Sequence, residues 1–382
     1  MNILHLSQTD IKSDSRILKE MQSILECTTD SNIYGIGVKM NESTEKVKEL
    51  SGLKIDSITL KSRQLDKLPT VIIHILSVIE IVFKMFFKAL KIKPRVIHCH
   101  DTPVLPLGIM IKIFTNAKLI YDAHELESDR NGISKLSGRL TKFIEKLLWR
   151  FVDALIVVSP SIDKWYIENI GDKYSEVILN SPVLEKDVFS ADPKYLRRHF
   201  SISGDSKIFL YIGILGQGRG IDLITEVFKK FDLKSSLVFL GYGELSNELK
   251  KLSEVHQNIY VHDAVSHNKV VSIARSADVG LCLIQNVSLS DYYCLPNKLF
   301  EYAFSEIPIL ASNFPDISEV VNKYNLGICS ELNEKSVYTA IKKFEEMNEL
   351  PKIDANDLYE LSWGAQEKKL IKLYEKLIKE VK

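Results

Sequence analysis

Three stretches in the second half of the chain have the residue types and spacing to hold an anion. In Leu295-Pro296-Asn297-Lys298-Leu299-Phe300-Glu301-Tyr302, Pro296 suits the first position of a helix, where its missing N–H would have had no intrahelical partner. The N–H groups of Asn297, Lys298 and Leu299 then point out of a helix start beside an ammonium, a combination that draws phosphate oxygens. Glu301 lies one turn further on, where a carboxylate could accept hydrogen bonds from a sugar diol; taken alone, the octapeptide reads equally well as an ordinary helix with a solvated Lys and Glu. Tyr211 to Ile224 reads as strand, glycine-rich turn and helix, with Gly213, Gly216, Gly218 and Gly220 around Arg219. Glycines let backbone N–H groups approach a ligand closely, and the guanidinium would stand at the mouth of that cradle. Leu240-Gly241-Tyr242-Gly243-Glu244 is a second strand-to-glycine turn that could wall a base or a sugar, although a structural turn explains it as well.

The first half carries polar residues at predicted strand ends. Ile120-Tyr121-Asp122-Ala123-His124-Glu125 gathers two carboxylates and a histidine, and His98-Cys99-His100-Asp101 ends the preceding strand on the same rim. A metal site there is set aside, because no further ligand has convincing spacing. His124 could meet a sugar or phosphate, or be satisfied by Asp122. Ser13-Asp14-Ser15-Arg16 follows the first strand, where a substrate would sit or where Ser13 or Asp14 would cap a helix. In the segment from Ser134 to Phe151, Lys135, Arg139, Lys142, Lys146 and Arg150 fall on one helical face and Leu136, Leu140, Phe143, Leu147 and Phe151 on another. Such a helix can lie on an anionic membrane, though a solvated face is the commoner case.

These residues need a scaffold, and the rest of the chain describes one. The 382 residues are 45% hydrophobic and 26% charged, which is globular composition and enough for two domains. Lys+Arg and Asp+Glu are both 50, so no net field favours nucleic acid. Five scattered cysteines without a C-x-x-C pair argue against a zinc site or disulfide framework and for a reducing compartment. The N-terminus reads as a strand and not as a signal peptide. The most apolar stretch, 71–90, is interrupted by His74, Glu80, Lys84 and Lys88. A membrane span is therefore not expected; Glu80, Lys84, Lys88 and Lys91 form a polar stripe, and the apolar remainder of that helix should pack on a sheet.

Short apolar runs alternate with helix-period segments throughout, the pattern of parallel sheets covered by helices. Strands are predicted at 2–7, 32–38, 95–100, 118–122, 154–159 and 176–179, then at 208–213, 236–240, 259–262, 279–284, 307–311 and 327–329. Helices fall between them, the last at 356–379, and the polar segment 181–206 reads as a connection. The fold class is α/β: two Rossmann-like domains, residues 1–182 completed by a C-terminal helix at 364–382, and residues 183–363. Ligands of such sheets bind at the carboxyl ends of the strands, so two facing units imply a cleft.

Together these motifs resemble the large family of retaining, nucleotide-sugar-dependent glycosyltransferases with the GT-B fold. The resemblance covers nearly the whole chain: the Tyr211–Gly220 loop, Gly241-Tyr-Gly243-Glu, Ser276-Ala277-Asp278-Val279, the Pro296–Tyr302 helix, the two first-half motifs, and Leu361-Ser362-Trp363 with the helix after it. It implies that Arg219 and Lys298 hold the donor diphosphate, Glu301 the ribose, and His124 the donor sugar or its phosphate, making His124, Arg219 and Lys298 the catalytic set. Gly213, Gly218, Gly241, Pro296, Asn297 and Leu299 would line the donor site with Tyr293, and Ala264 and Val265 would lie near the base. Asp14, Ser15, Arg16, Asp101 and His124 would face the acceptor. Two positions depart from the family: Ile214 stands where an Arg is usual, and Tyr293 where a glutamate is, which leaves Asp291, Tyr292, Tyr293 or backbone to contact the sugar. A subgroup with P-N-K-x-x-E-Y is closer to this chain.

The resemblance implies transfer of a hexose or N-acetylhexosamine from a UDP-sugar, with retention and with no metal or other cofactor. The implied acceptor is a glycan linked to a polyprenyl diphosphate, in bacterial surface-polysaccharide assembly on the cytoplasmic side of the membrane. The helix at 134–151 is the candidate membrane contact, and no nucleic-acid partner is expected. Two alternatives stay open on the sequence: a nucleotide-sugar 2-epimerase of the same fold, and a non-catalytic partner with a degenerate donor site.

Overall fold

In the computed structural model, residues 1–28, 31–39, 52–65, 68–183, 192–351 and 355–379 are described. They fall into two compact units, Met1–Ile178 with Glu367–Lys382, and Leu179–Gln366. Each is a parallel sheet dressed with helices.

The first unit has strands β1 (Asn2–Leu6), β2 (Asn32–Val38), β3 (Leu53–Ile58), β4 (Val96–His100), β5 (Lys118–Ala123), β6 (Ala154–Val157) and β7 (Ser175–Val177), in the order β3-β2-β1-β4-β5-β6-β7. Its helices are α1 (Ser15–Cys27), α2 (Thr70–Ile92), α3 (Leu105–Thr115), α4 (Lys135–Leu148) and α5 (Pro160–Asn169). Central strands of such a sheet are covered on both faces and therefore apolar along their length; β4 is buried at all five positions. Strand β3 was not anticipated from sequence. It is an edge strand with half-exposed residues and two charges, Lys54 and Asp56, so it lacks the apolar run that marks the others.

The second unit holds α6 (Tyr195–Phe200), β8 (Ile208–Ile214), α7 (Ile221–Lys230), β9 (Ser236–Tyr242), α8 (Ser246–Val255), β10 (Ile259–Asp263), α9 (His267–Ala274), β11 (Val279–Cys282), α10 (Leu289–Tyr292), α11 (Asn297–Phe304), β12 (Ile309–Ser312), α12 (Pro315–Lys323), β13 (Gly327–Ser330), α13 (Glu334–Glu346) and α14 (Ala355–Leu361). The sheet order is β10-β9-β8-β11-β12-β13, every neighbour parallel. Helix α6 lies inside the segment read as an irregular connection; residues 184–191 of that segment lie outside the described residues. The single predicted C-terminal helix is two, α14 and α15 (Trp363–Lys379). The Ser362 hydroxyl donates to the Tyr359 carbonyl (2.6 Å) and accepts from the Ala365 N–H (3.4 Å), a local side-chain alternative to continuing the helix.

Helix α2 corrects a sequence expectation. Glu80, Lys84 and Lys88 of its polar stripe are bonded to the protein, Lys91 is exposed, and a row of its apolar side chains is exposed as well. Glu80 accepts from the N–H groups of Lys61 and Ser62 (3.0 and 2.9 Å), and Lys84 donates to the Thr59 carbonyl (2.7 Å). Lys88 pairs with Asp56 on β3. Only Ser77, Met85 and Ala89 of the helix are buried, while Val71, Ile75, Val78, Ile79, Phe83 and Phe87 face out. Periodicity reports that a helix has two faces; here the edge of the sheet offered hydrogen-bonding partners and so took the polar one.

In the second unit α11 is fixed to the sheet by Tyr302. Its hydroxyl accepts the Ile212 N–H (2.9 Å) and donates to the Leu210 carbonyl (2.8 Å), both on β8. The ring passes over Gly280 of β11, where a Cβ would come within 2.3 Å of ring carbon. Gly280→Ala is expected to destabilise this unit by about 1–3 kcal/mol through overpacking. Urea unfolding followed by tryptophan fluorescence measures it, and an unchanged midpoint would show that α11 does not depend on this contact.

Candidate active site

Residues implicated by sequence collect at the carboxyl ends of the strands in each unit. In the second unit the chain order reverses between β8 and β11, the switch point at which ligands of open α/β sheets bind. The glycine-rich turn leaves β8 there, and α11 is reached from β11. Gly213 has φ +123 and Gly220, which precedes α7, φ +73. A Cβ at Gly220 would lie 2.0 Å from the Leu283 carbonyl oxygen, and one at Gly241 would lie 1.8 Å from that of Gly213. The two glycine turns therefore touch backbone to backbone. They are tied again where Glu244 accepts the Gln217 N–H (3.2 Å). Gly218, with φ +77, sits between them and Arg219.

Helix α11 begins one residue later than its sequence suggests. Pro296 has extended backbone (φ −75, ψ 148) and precedes the helix, and the Leu299 N–H turns back to the Pro296 carbonyl (3.0 Å). Asn297 and Lys298 keep the outward N–H groups of the helix start. Lys298 is buried, and its Nζ has no hydrogen-bond partner among the described residues. It stands 3.8 Å from the centre of the Tyr211 ring, a cation–π contact, and 3.8 Å from where a Cβ on Gly213 would be. Leu299 and Glu301 are buried on the same helix.

Arg219 is held from the other side. Its Nη1 lies 3.8 Å from Oδ1 of Asp291, and the other oxygen of that buried carboxylate accepts from Ser288 Oγ (2.6 Å). Asp291, considered from sequence as a substitute sugar ligand, faces the guanidinium of Arg219. Tyr293 follows α10 with its ring 5.5 Å from that of Tyr292. Burial pushes the Cys282 thiol up to about 12, with Lys298 and Arg219 both pulling against it. Ile214 is exposed at the position where an arginine was missed. Ala264 and Val265 follow β10 at the same end of the sheet.

In the first unit, register builds the site. Side chains two apart on a strand share a face, and His5 pairs with His98 and His100 with Asp122 across β1, β4 and β5. His5, His98, His100, Asp122 and His124 therefore form one polar stripe. His124 Nε2 lies 3.1 Å from Asp122 Oδ2 and 3.1 Å from His100 Nδ1, and its Nδ1 is 3.7 Å from Asp101 Oδ1. Asp101 holds φ +67 and ψ 162, a backbone state that L residues rarely adopt and that collects at active sites. It is secured by its own N–H to the Asp122 carbonyl (2.9 Å). His98 Nδ1 meets the Tyr374 hydroxyl (2.7 Å), brought by α15.

Two residues expected to face an acceptor do other work. Asp14 caps α1, accepting from the N–H groups of Arg16 and Ile17 (3.0 and 3.1 Å). Arg16 is buried: its guanidinium donates to the Ile178 carbonyl (3.1 Å) and to Asp122 Oδ1 (3.1 Å), and lies 3.1 Å from Glu20 Oε1. Ser15 is exposed at the start of α1. His5, Glu20 and Tyr374 were not singled out from sequence; alternation along β1 is the signal that could have found His5. Donor atoms of Glu20, His98, His100 and Asp122 converge within 4.8 Å, as do those of His5, His98 and His100, so the metal reading set aside on spacing has a geometric basis. Arg16, however, already supplies positive charge to both carboxylates.

Charge in this network is graded. Burial lowers the pKa of His98 to about 3, with His100 adding to it, and holds His5 and His100 down as well. Burial opposes ionisation of Asp122, but Arg16 and His124 outweigh it and keep the carboxylate well below its usual range. Burial also works against charge on His124; Asp101 and Asp122 reverse that and raise it to about 10. His124 is thus an imidazolium at neutral pH, a hydrogen-bond donor at the rim with 19% of its side chain exposed.

The second unit thus has a glycine-lined switch point beside a buried ammonium with no hydrogen-bond partner among the described residues, an arrangement suited to an anion. Comparison with known proteins agrees. Residues 194–356 match the model of the family Glycosyl transferases group 1. The chain is 26% identical over 286 residues to an uncharacterized glycosyltransferase of Methanocaldococcus jannaschii, covering 69% of this chain and 70% of that protein. It is 26% identical over 266 residues to the chitobiosyldiphosphodolichol beta-mannosyltransferase of Kluyveromyces lactis, covering 59% of this chain and 57% of that relative, little more than half its length. In fold it matches sucrose-phosphate synthase of Thermosynechococcus elongatus with TM-score 0.74 at 14% identity, over 99% of both chains. Residues 194–356 thus resemble the group 1 glycosyltransferases, and the chain as a whole has the GT-B fold.

Two measurements test the site. Lys298→Met removes an unpaired buried charge of similar volume. It is expected to raise the melting temperature of the free protein while lowering kcat/KM by about a hundredfold or more. Unchanged turnover would remove Lys298 from the site. For His124, the folded pKa of about 10 lies above the unfolded value of about 6.5. Its stabilisation is therefore complete below about pH 6.5 and is lost as pH rises toward 10. Imidazole NMR titration reads this directly, and Asp101→Asn is expected to move the midpoint downward.

Proposed function

We propose that the protein transfers a hexose or N-acetylhexosamine from a nucleotide-sugar, UDP-linked, to a lipid-linked glycan, with retention of configuration and without metal. The observation that carries this reading is Lys298: a buried ammonium with no hydrogen-bond partner among the described residues, at the start of a helix and beside a glycine that keeps the space open. Breaking a sugar–phosphate bond leaves charge on the departing diphosphate. Preorganised cations aimed at that charge are worth several kcal/mol in a water-excluded site (roughly 3–4 per donor removed). Lys298, Arg219 and the N–H groups of Asn297 and Lys298 take that role, Glu301 binds the ribose, and Ala264 and Val265 lie by the base.

His124, protonated, donates to the donor sugar or its phosphate and is not a general base. The departing phosphate oxygen then accepts the proton of the acceptor hydroxyl. The metal-free reading is favoured by Arg16, whose guanidinium lies against Asp122 and Glu20, the carboxylates of the Glu20–His98–His100–Asp122 cluster of metal-type ligands. A lipid-diphosphate acceptor is favoured by the relative whose name specifies chitobiosyldiphosphodolichol. Surface-polysaccharide assembly at the cytoplasmic membrane face follows from the family resemblance, as does UDP.

Calorimetry with UDP and GDP, and product analysis with polyprenyl-diphosphate-linked sugars, test the proposal. Binding of UDP and acceptor-dependent transfer that is unaffected by EDTA are expected. Donor conversion without acceptor, or loss of activity on chelation restored by a divalent ion, would overturn it.

A further inference from the structure

Helices α2, α3 and α4 connect strands that step the same way across the first sheet, β3 to β4, β4 to β5 and β5 to β6. Right-handed crossovers therefore place all three on one face of it, and α2 and α3 touch through Phe86 and Phe114, ring centres 5.4 Å apart. Helices α2 and α4 turn their polar side inward, while α3 buries Leu105, Leu107, Ile109 and Ile111 and still leaves apolar side chains exposed. Helix α4 shows its full apolar stripe, Leu136, Leu140, Phe143 and Leu147, each more than half exposed. What it buries is a carboxylate: Glu145 accepts from Thr102, Tyr121 and Tyr166 (3.1, 2.7 and 2.7 Å). Helix α2 is anchored in the same manner through Glu80 and presents Ile79 and Phe83 outward, and α3 adds Ile113 and Phe114.

We infer that this face is a bilayer-docking surface, with α2, α3 and α4 lying in the plane of an anionic membrane leaflet. Charge selects the occupant. Glu80 and Glu145 are the only acids on the three helices, and both are turned inward and bonded. Lys91, Lys135, Arg139 and Lys146 stand exposed around the apolar residues. A basic rim around an apolar centre matches anionic headgroups over acyl chains. A second copy would set the same basic patch against itself, because two-fold interfaces are self-complementary. The 23-residue α2 has the length and apolarity of a membrane span. Spanning would strip Glu80, Lys84 and Ser77 of partners they hold in this unit; lying flat keeps them. The choice of a bilayer rests on the lipid-linked acceptor proposed above, and the experiment separates the two.

The full chain is sedimented with phosphatidylcholine vesicles with and without phosphatidylglycerol. Partitioning to the anionic vesicles is expected, weakened by salt but not abolished. The double variant Ile79→Asp/Phe83→Asp is expected to lose about tenfold or more of it while binding UDP as the parent does. In a Phe83→Trp protein, tryptophan emission should shift to the blue on vesicle addition and be quenched by brominated lipid. Failure of the parent to bind anionic vesicles, with UDP binding intact, overturns the docking surface and leaves the transferase reading standing. A dimer in ultracentrifugation that the double variant dissociates, with no vesicle binding, overturns it in favour of a second copy.

Discussion

The second unit depends on where one tyrosine hydroxyl is bonded. Tyr302 grips β8 through the Ile212 N–H and the Leu210 carbonyl, and its ring needs the missing side chain of Gly280 on β11. Helix α11 is thereby locked across the two strands that flank the switch point. Everything chemical about the helix follows from that. Lys298, one turn before Tyr302, points at Tyr211 and Gly213 on β8, where its ammonium finds a ring face and, among the described residues, no hydrogen-bond acceptor. An ammonium left so incurs a desolvation cost in the free protein, and an anion arriving there recovers it. The constraint that stabilises the fold is the same one that keeps the cation unsatisfied.

The first unit treats charge in the opposite way. Arg16, Glu20 and Asp122 are buried together, and removing one partner from such a set typically costs about 3–5 kcal/mol because another charge is left alone. Here Arg16 lies against Asp122 and Glu20, burial with Asp122 raises the Glu20 carboxyl to about 8, and His124 at the rim sets a second positive charge beside Asp122. Asp101, in its strained backbone state, and Asp122 hold that imidazole charged. One unit thus offers an unpaired cation, the other a paired and oriented one.

Helices α2 and α4 show that an amphipathic pattern has no sign. Glu80 bonds to backbone N–H groups, which help hold it ionised, and Glu145 to three hydroxyls, which offset only part of the cost of its burial. The apolar stripes, which usually provide the reason to face inward, are left outside. A buried carboxylate with several donors pointing at it outweighs the ordinary preference of leucine and phenylalanine for the core only where something else can cover them.

The sequence by itself determined the alternation of strands and helices, the glycine turn after β8, and Lys298, Arg219 and Glu301 as the residues of the second unit to watch. These are local signals: periodicity, turn chemistry and a helix start are written within a few residues. It missed β3 because an edge strand need not be apolar, and the break at Ser362 because a hydroxyl competes with a helix bond in a way spacing does not register. It assigned Arg16 to an acceptor site, since position after β1 suggested a rim. Only the tertiary structure decided that α1 turns the guanidinium inward to Asp122, that Asp291 faces Arg219, that His5 and Tyr374 join the histidine stripe, and which faces of α2 and α4 meet the protein. Each of those depends on partners tens to hundreds of residues away, brought near by parallel register and helix packing, and no local pattern carries that information.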